Sequence, residues 1–131
     1  MNRKGPEVST LLESVLQLHG DLRKILEPLR VTPLQAGTLL FLSRHAETNL
    51  TDAAATLRVS LPTMSEVVKD LVRKRWVTKR RSVTDSRVLH LQLSRQGHIL
   101  VRHIEQRMRH IEATLIGPDL AALSMHPEGR A

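Results

Sequence analysis

The chain has 131 residues, a length that suits one domain, and its formal net charge at pH 7 is +7. It contains no cysteine, which excludes disulfides, thiolate catalysis and cysteine-bound zinc. No apolar run reaches the roughly 18 residues that a membrane-spanning helix needs, and no apolar signal segment follows the basic N-terminus. We therefore predict a single domain over residues 1–131 that acts in the cytoplasm, without a membrane partner.

The first predicted helix covers residues 7–29. Its apolar side chains recur every three or four residues and form one stripe over about six turns. Pro28 predicts that regular helix stops or kinks near Glu27. The stripe exceeds what a small core must cover, so we expect it to pack against a partner, with packing inside its own domain as the alternative.

Three shorter helices are predicted next. The second helix covers residues 33–45 and the third covers residues 51–57. Ser60 caps the fourth helix, which has Pro62 in its first turn and an apolar face that recurs at helical spacing from Leu61 to Val72. The tight connection at residues 58–60 is typical of a helix-turn-helix.

The hydrophobic period then changes from 3.6 to 2. Residues 88–93 alternate between apolar and polar side chains, which predicts a half-buried strand, and residues 76–80 also suit a strand. The polar loop 81–87 joins the two strands as a hairpin. A last long helix follows Ser94, and Gly117-Pro118 breaks it. Its apolar seam from Leu100 to Leu115 is also expected to pack against a partner, with packing inside its own domain as the alternative.

The excess positive charge lies in about a fifth of the chain. Residues 69–95 hold nine basic and two acidic side chains, whereas the two signs balance in the rest. Such a block attracts polyphosphate because each neutralised phosphate releases counterions; the alternative is a solvated basic face. A helix-turn-helix followed by a hairpin is a winged helix, and the block spans its second helix and its wing. This coincidence favours DNA binding.

Short motifs along the chain carry a family resemblance. They are Val31-Thr32-Pro33-Leu34-Gln35, Leu50-Thr51 through Ser60, Pro62-Thr63-Met64-Ser65, Asp85-Ser86-Arg87, Leu91-Gln92-Leu93-Ser94 and Gly97. In this order and spacing they resemble the MarR family of bacterial transcriptional regulators. The resemblance implies a mainly α fold with a small β-hairpin wing, a winged helix-turn-helix lobe at 32–94, and long dimerisation helices at 7–29 and 95–125.

The same resemblance implies a sequence-specific DNA-binding regulator, a ligand-responsive repressor that binds a pseudopalindromic operator as a homodimer. Its recognition helix, 60–75, would lie in the major groove and its wing, 81–87, at the minor groove. Arg87 would be the wing arginine, and Asp85 would orient it through a charge-assisted hydrogen bond. The predicted DNA-binding residues are Pro62, Thr63, Ser65, Glu66, Lys69, Arg73, Lys79, Arg80, Arg81, Asp85 and Arg87.

The sequence departs from the family pattern in three places. Glu66 stands where a basic residue is common, so it either accepts a hydrogen bond from a cytosine amine or pairs with Lys69. Arg75 replaces the usual glycine before the wing, so we expect no easy left-handed cap there. The chain after Gly117 is short. The acids Glu66 and Asp70 favour an alternative function, a protein-interaction module that no longer binds DNA specifically.

No catalytic, cofactor or metal site is predicted. The sequence lacks a nucleophile elbow, a phosphate-binding glycine loop and an acid pair at convincing spacing, so we expect no enzyme and no cofactor. His98, His103 and His110 lie five and seven residues apart, which does not place two ligands on adjacent turns. Arg23 and Arg44 are interpreted as surface charges, with a ligand cleft as the alternative.

Overall fold

The computed structural model describes residues 6–85 and 87–111. Within them, five α-helices and one two-stranded antiparallel sheet follow each other in the predicted order. The elements are α1 Pro6–Leu26, α2 Pro33–Arg44, α3 Leu50–Leu57, α4 Leu61–Arg73, β1 Val77–Arg81, β2 Leu89–Leu93 and α5 Arg95–Ile111. The fold class, mainly α with a small β-hairpin, is confirmed. The predicted helix break at Gly117-Pro118 lies outside the described residues.

The turn between α1 and α2 follows from its prolines and its hydroxyl cap. Regular helix gives way to one turn of 3-10 helix over Glu27–Leu29, as predicted, and Arg30 follows with a left-handed φ of 63°. Thr32 then caps α2: its Oγ1 accepts a hydrogen bond from the backbone N–H of Gln35 at 3.1 Å. The Gln35 side chain accepts one from the Thr32 N–H in return, also at 3.1 Å. This reciprocal capping box fixes where α2 begins.

The helix-turn-helix is formed by α3 and α4. The prediction for the start of α3 was one residue late: the helix begins at Leu50 because the Asn49 side chain caps it, accepting a backbone N–H at 2.8 Å. The turn contains Arg58 in a left-handed conformation, with φ 59°. Ser60 caps α4 as predicted, and its hydroxyl accepts the Thr63 N–H at 3.2 Å.

The core lies between α2, α4, α5 and the base of the hairpin. Among its most deeply buried side chains are Leu26, Leu39, Met64, Leu71, Val77 and Ile104. On α4, burial follows the predicted apolar face with one correction. Leu61 was placed on that face but is 46% exposed, because it lies at the first position of the helix, at the edge of the core.

The hairpin is tied to the helices at its base. β1 pairs with β2 from Val77 opposite Leu93 to Arg81 opposite Leu89. The N–H of Leu91 donates to the carbonyl of Thr48, in the loop between α2 and α3, at 2.8 Å. The base of the wing is therefore fixed to the body of the protein.

The junction between α4 and the wing corrects one prediction. Arg75 adopts the left-handed conformation that glycine usually provides, with φ 68°. Its carbonyl accepts a hydrogen bond from the Ser94 hydroxyl at 2.7 Å, and that hydroxyl also accepts the Gly97 N–H at 3.0 Å. The prediction that this junction lacks a left-handed cap was wrong, because a contact from the start of α5 holds the Arg75 carbonyl in place.

Candidate nucleic-acid interface

The predicted DNA-binding residues of α4 lie mainly on one face. Exposed side chains recur every three or four residues along the helix, opposite the buried Met64, Val68 and Leu71. The exposed members of the predicted set are Pro62, Thr63, Glu66, Lys69 and Arg73. Ser65 is half-buried at the margin of this face. The exposed face of α4 is therefore short and polar, and it carries both acidic and basic side chains.

Glu66 pairs with Lys69 within this face. The Lys69 Nζ lies 3.3 Å from the Glu66 Oε2, and the two side chains are 62% and 74% exposed. Internal pairing was one of the two alternatives predicted for Glu66. A solvent-exposed ion pair of this kind contributes about 0–1 kcal/mol, so it does not prevent either side chain from taking another partner.

Asp70 points toward α2 rather than along the exposed face. Its Oδ2 accepts a hydrogen bond from the Gln35 Nε2 at 2.7 Å and lies 3.3 Å from the Lys74 Nζ, while its Oδ1 pairs with Arg73. Burial opposes ionisation, but the Lys74 hydrogen bond, the charges of Lys74 and Arg73 and the Gln35 hydrogen bond together lower the pKa of Asp70. Asp70 therefore connects α4 to the start of α2 through Gln35.

The Gln35 bridge was missed by sequence reasoning. Gln35 belongs to the capping box of α2 and also donates to Asp70, so one side chain joins the start of α2 to the third turn of α4. The capping-box spacing from Thr32 was the available signal. Nothing in the sequence indicates that the free end of the amide faces an acid 35 residues further along the chain.

The wing carries the predicted Asp85–Arg87 pair. The Arg87 Nε and Nη2 donate to the two carboxylate oxygens of Asp85 at 3.1 and 3.2 Å, and the Arg87 backbone N–H donates to Asp85 at 3.0 Å. These side-chain and backbone hydrogen bonds lower the pKa of Asp85. The Arg87 side chain is 88% exposed, so its carboxylate partner orients a guanidinium that stands in solvent.

The wing loop and the two strands that flank it form one hairpin, called the wing below, and its remaining basic residues lie on β1. Lys79, Arg80 and Arg81 are all exposed. From β1 through β2 the sequence holds four basic residues against one acid, whereas α4 holds two of each. The concentrated positive charge predicted for residues 69–95 is therefore carried by the wing and by the residues that follow α4, and not by α4 itself.

A cavity of about 530 Å³ adjoins the Asp70 contacts. It lies between the end of α1, the start of α2 and the end of α4. Its lining residues are Arg23, Lys24, Glu27, Arg30, Val31, Thr32, Gln35 and Lys74. Arg23 and Arg44, which were interpreted as surface charges, are both exposed; Arg23 also lines this cavity, whereas Arg44 does not. Four basic side chains and one acid make the cavity suited to an anion.

The two long helices differ in what covers their apolar stripes. On α1, Leu11, Leu12, Val15 and Leu16 are 52–66% exposed. On α5, the seam from Leu100 to Ile111 is largely buried within the chain itself. The alternative of packing inside the domain therefore applies to the described part of α5, and the need for a partner remains with α1.

The described residues also bear on metals and membranes. No group of three His, Asp or Glu side chains among residues 6–85 and 87–111 lies close enough to share a metal ion. No helix in this part of the chain has the length and apolar character needed to cross a membrane.

Comparison with known proteins agrees with this geometry. The sequence model of the MarR family matches residues 31–88. The uncharacterized HTH-type transcriptional regulator YpoP of Bacillus subtilis (strain 168) is 26% identical over 102 residues, which cover 77% of this chain and 72% of that protein.

Solved structures of repressor complexes have the same fold. The transcriptional repressor CouR, bound to a 23-mer DNA duplex, gives a TM-score of 0.80 at 25% identity over 95% of this chain and 96% of that chain. The S. aureus MepR–DNA complex gives 0.74 at 25% identity over 82% and 81%. The fold and the basic wing define a winged helix-turn-helix protein.

The match to the MarR family model over residues 31–88 and the likeness to the CouR structure confirm the predicted resemblance to the MarR family of transcriptional regulators. Members of this family regulate transcription, in agreement with the prediction that the chain is not an enzyme.

Proposed function

We propose that this chain is a sequence-specific DNA-binding transcriptional regulator that represses from a pseudopalindromic operator as a homodimer. The observation that carries the proposal is the pairing of an exposed polar helix face with an adjacent hairpin that holds four basic residues against one acid. CouR and MepR, which share this fold, have structures with DNA. A duplex partner places the protein in the cytoplasm, with the chromosome.

The two regions take different grooves in this proposal. The recognition helix, 60–75, enters the major groove, where Thr63 and Ser65 reach base edges and Arg73 contacts phosphates. The wing, 81–87, lies at the minor groove, where the negative potential attracts Arg87. On β1, Lys79, Arg80 and Arg81 contact phosphates, which fixes the position of the protein without reading sequence.

The homodimer is supported by the exposed stripe of α1. Of the two predicted dimerisation segments, 7–29 and 95–125, the exposed stripe supports residues 7–29, and we assign residues 32–94 to the DNA-binding lobe. Part of the C-terminal segment, residues 112–125, lies outside the described residues. A two-fold axis through the helical part would set two recognition helices about one DNA turn apart, near 34–36 Å, and would require a symmetric operator.

The basic cavity connects ligand binding to the recognition helix in this proposal. Lys74 and Gln35 line the cavity, and both also bond to Asp70 of α4. An anionic small molecule that attracts Lys74 would weaken its contact with Asp70 and release one brace of the recognition helix. We assign this cavity to the effector on the basis of that shared contact.

The salt dependence of duplex binding tests the proposal. The chain is titrated with labelled mixed-sequence duplex DNA at a series of salt concentrations. We expect the logarithm of the binding constant to fall linearly with the logarithm of salt concentration, by roughly 0.9 per neutralised phosphate. Absent or salt-independent binding would favour the protein-interaction module instead.

A further inference from the structure

An acid stands at the centre of the surface that faces DNA in this proposal. The helix α4 contains two acids, and Asp70 is turned toward Gln35 and Lys74. Glu66 remains on the exposed face, one turn beyond Thr63, one turn before Lys69 and two turns before Arg73, with its side chain 74% exposed. In the proposed complex the DNA phosphates repel this carboxylate, so we expect it to bind a specific hydrogen-bond donor on the DNA.

The ion pair with Lys69 does not supply that partner by itself. Two exposed side chains three residues apart on a helix stabilise it by about 0.2–0.5 kcal/mol. Repulsion from neighbouring phosphates acts on the same carboxylate once DNA is bound. The pair does, however, place an acceptor and a donor side by side, with Glu66 Oε2 and Lys69 Nζ 3.3 Å apart.

This acceptor–donor couple is complementary to one base pair in the major groove. Cytosine presents its N4 amine as a donor, and the paired guanine presents O6 and N7 as acceptors. Carboxylates are suited to the cytosine amine, and lysine is suited to the guanine acceptors. An A·T pair presents its groups in a different order and adds a methyl group, so it matches the couple less well.

We propose that Glu66 and Lys69 together read a C·G base pair in each half of the operator. Glu66 accepts a hydrogen bond from the cytosine N4 amine, and Lys69 donates to the guanine. The inference rests on the proposed placement of α4 in the major groove. It gives Glu66 a specificity-determining role, whereas the basic residues around it supply affinity that is independent of sequence.

Selection of bound duplexes from a random library tests the inference on the full chain. The wild-type protein is expected to prefer C·G at one position of each half-site by roughly five- to 150-fold, the range for one good base contact. Glu66→Gln should shift the preference at that position to A·T, because a glutamine amide pairs with adenine N6 and N7. Glu66→Ala should reduce the preference to about twofold or less, while the other positions stay unchanged.

Two comparisons keep the readout specific. Glu105→Gln, on the exposed surface of α5, removes an acid away from α4 and should leave every base preference as it is. Loss of Glu66 also removes repulsion from phosphates, so the affinity of the Glu66 variants for duplexes without C·G at that position should rise. The ratio of affinities between duplexes is therefore the quantity to compare. Circular dichroism of each variant checks that α4 stays folded.

The possible outcomes distinguish the C·G reading by Glu66 from the DNA-binding function on which it rests. Salt-dependent duplex binding with a C·G preference that Glu66→Gln moves to A·T supports both. Salt-dependent binding in which Glu66→Ala and Glu66→Gln leave every base preference unchanged overturns the C·G reading and keeps the DNA-binding function. A wild-type chain that binds no duplex overturns both.

Discussion

The recognition helix α4 and the neighbouring wing differ in how they are held and in how their charge is arranged. The helix buries Met64, Val68 and Leu71, and Asp70 braces it against α2. Its two acids and two bases balance. Among the described residues, the wing hairpin is joined to the body of the protein through the buried Val77 and through Leu91 of β2, whereas most of its other side chains are exposed and basic residues are in excess.

The difference points to a division of work between the two regions. Phosphate contacts depend on salt and are indifferent to sequence, whereas base contacts require a side chain held in a fixed place. A basic wing that extends into solvent is suited to phosphate contacts. A braced helix with neutral overall charge is suited to base contacts. Changes in the wing should therefore alter affinity, and changes in α4 should alter discrimination.

The largest expected effect on stability is that of a substitution at the junction between α4 and the wing. A Cβ at Gly97 would overlap the carbonyl oxygen of Trp76, which cannot move without shifting the end of α4 and the start of the wing. We expect Gly97→Ala to lower the free energy of unfolding by about 2–3 kcal/mol. Urea denaturation measures the change.

Gly37→Ala is the matched control. A Cβ there meets only the Leu57 Cδ2 at 3.9 Å, which is ordinary contact. Because alanine favours helix over glycine by roughly 0.5–1 kcal/mol, this variant should be equally or more stable than the wild type. A Gly97→Ala protein as stable as Gly37→Ala would contradict the close packing of α5 on the junction.

The second prediction concerns the wing alone. Arg87→Ala should weaken operator binding by about tenfold, the order expected for one well-placed arginine, because the guanidinium held by Asp85 is lost. Fluorescence anisotropy measures the affinity, and light scattering should report an unchanged dimer mass. Arg102→Ala, an exposed arginine of α5, provides the control. Equal affinities for the two variants would remove the wing arginine from the interface.

The third prediction concerns the brace of α4. Asp70→Asn replaces the charged acceptor of Gln35 and Lys74 and should lower the free energy of unfolding by about 1 kcal/mol at pH 7. The pKa of Asp70 is lowered in the folded state, so its contribution is complete above the ordinary value of 3.8 and disappears as the pH falls below it.

Denaturation of wild type and Asp70→Asn should therefore give a constant difference down to about pH 4 and a shrinking one at lower pH. The exposed acid Glu105 supplies a comparison, since Glu105→Gln should change stability little at any of these pH values. A difference for Asp70→Asn that stays constant through the acid range would contradict the ionic character of the brace.

Local signals explain how much of this molecule could be predicted from its sequence. Proline and hydroxyl caps marked the helix starts at Thr32 and Ser60, and the change of period marked the hairpin, because these features act within a few residues. The Asp85–Arg87 pair was also predictable, since its two members are two residues apart.

The errors arose where distant residues decide the outcome. Arg75 adopts a left-handed conformation beside a hydroxyl from Ser94, and Asp70 turns to Gln35, which precedes it by 35 residues. The apolar seam of α5 was visible as a pattern, but the pattern does not say which part of the chain covers it. Tertiary contacts of this kind override local preference.

The salt dependence of a wing variant, measured on two duplexes, tests the central claim most directly. Lys79→Ala combined with Arg80→Ala is compared with wild type on the selected operator and on random DNA. If the wing supplies phosphate contacts, the salt slope should fall by about 1.8 on both duplexes, and the ratio of the two affinities should not change. An unchanged slope, or a loss confined to the operator, would contradict the division between a wing that binds and a helix that reads.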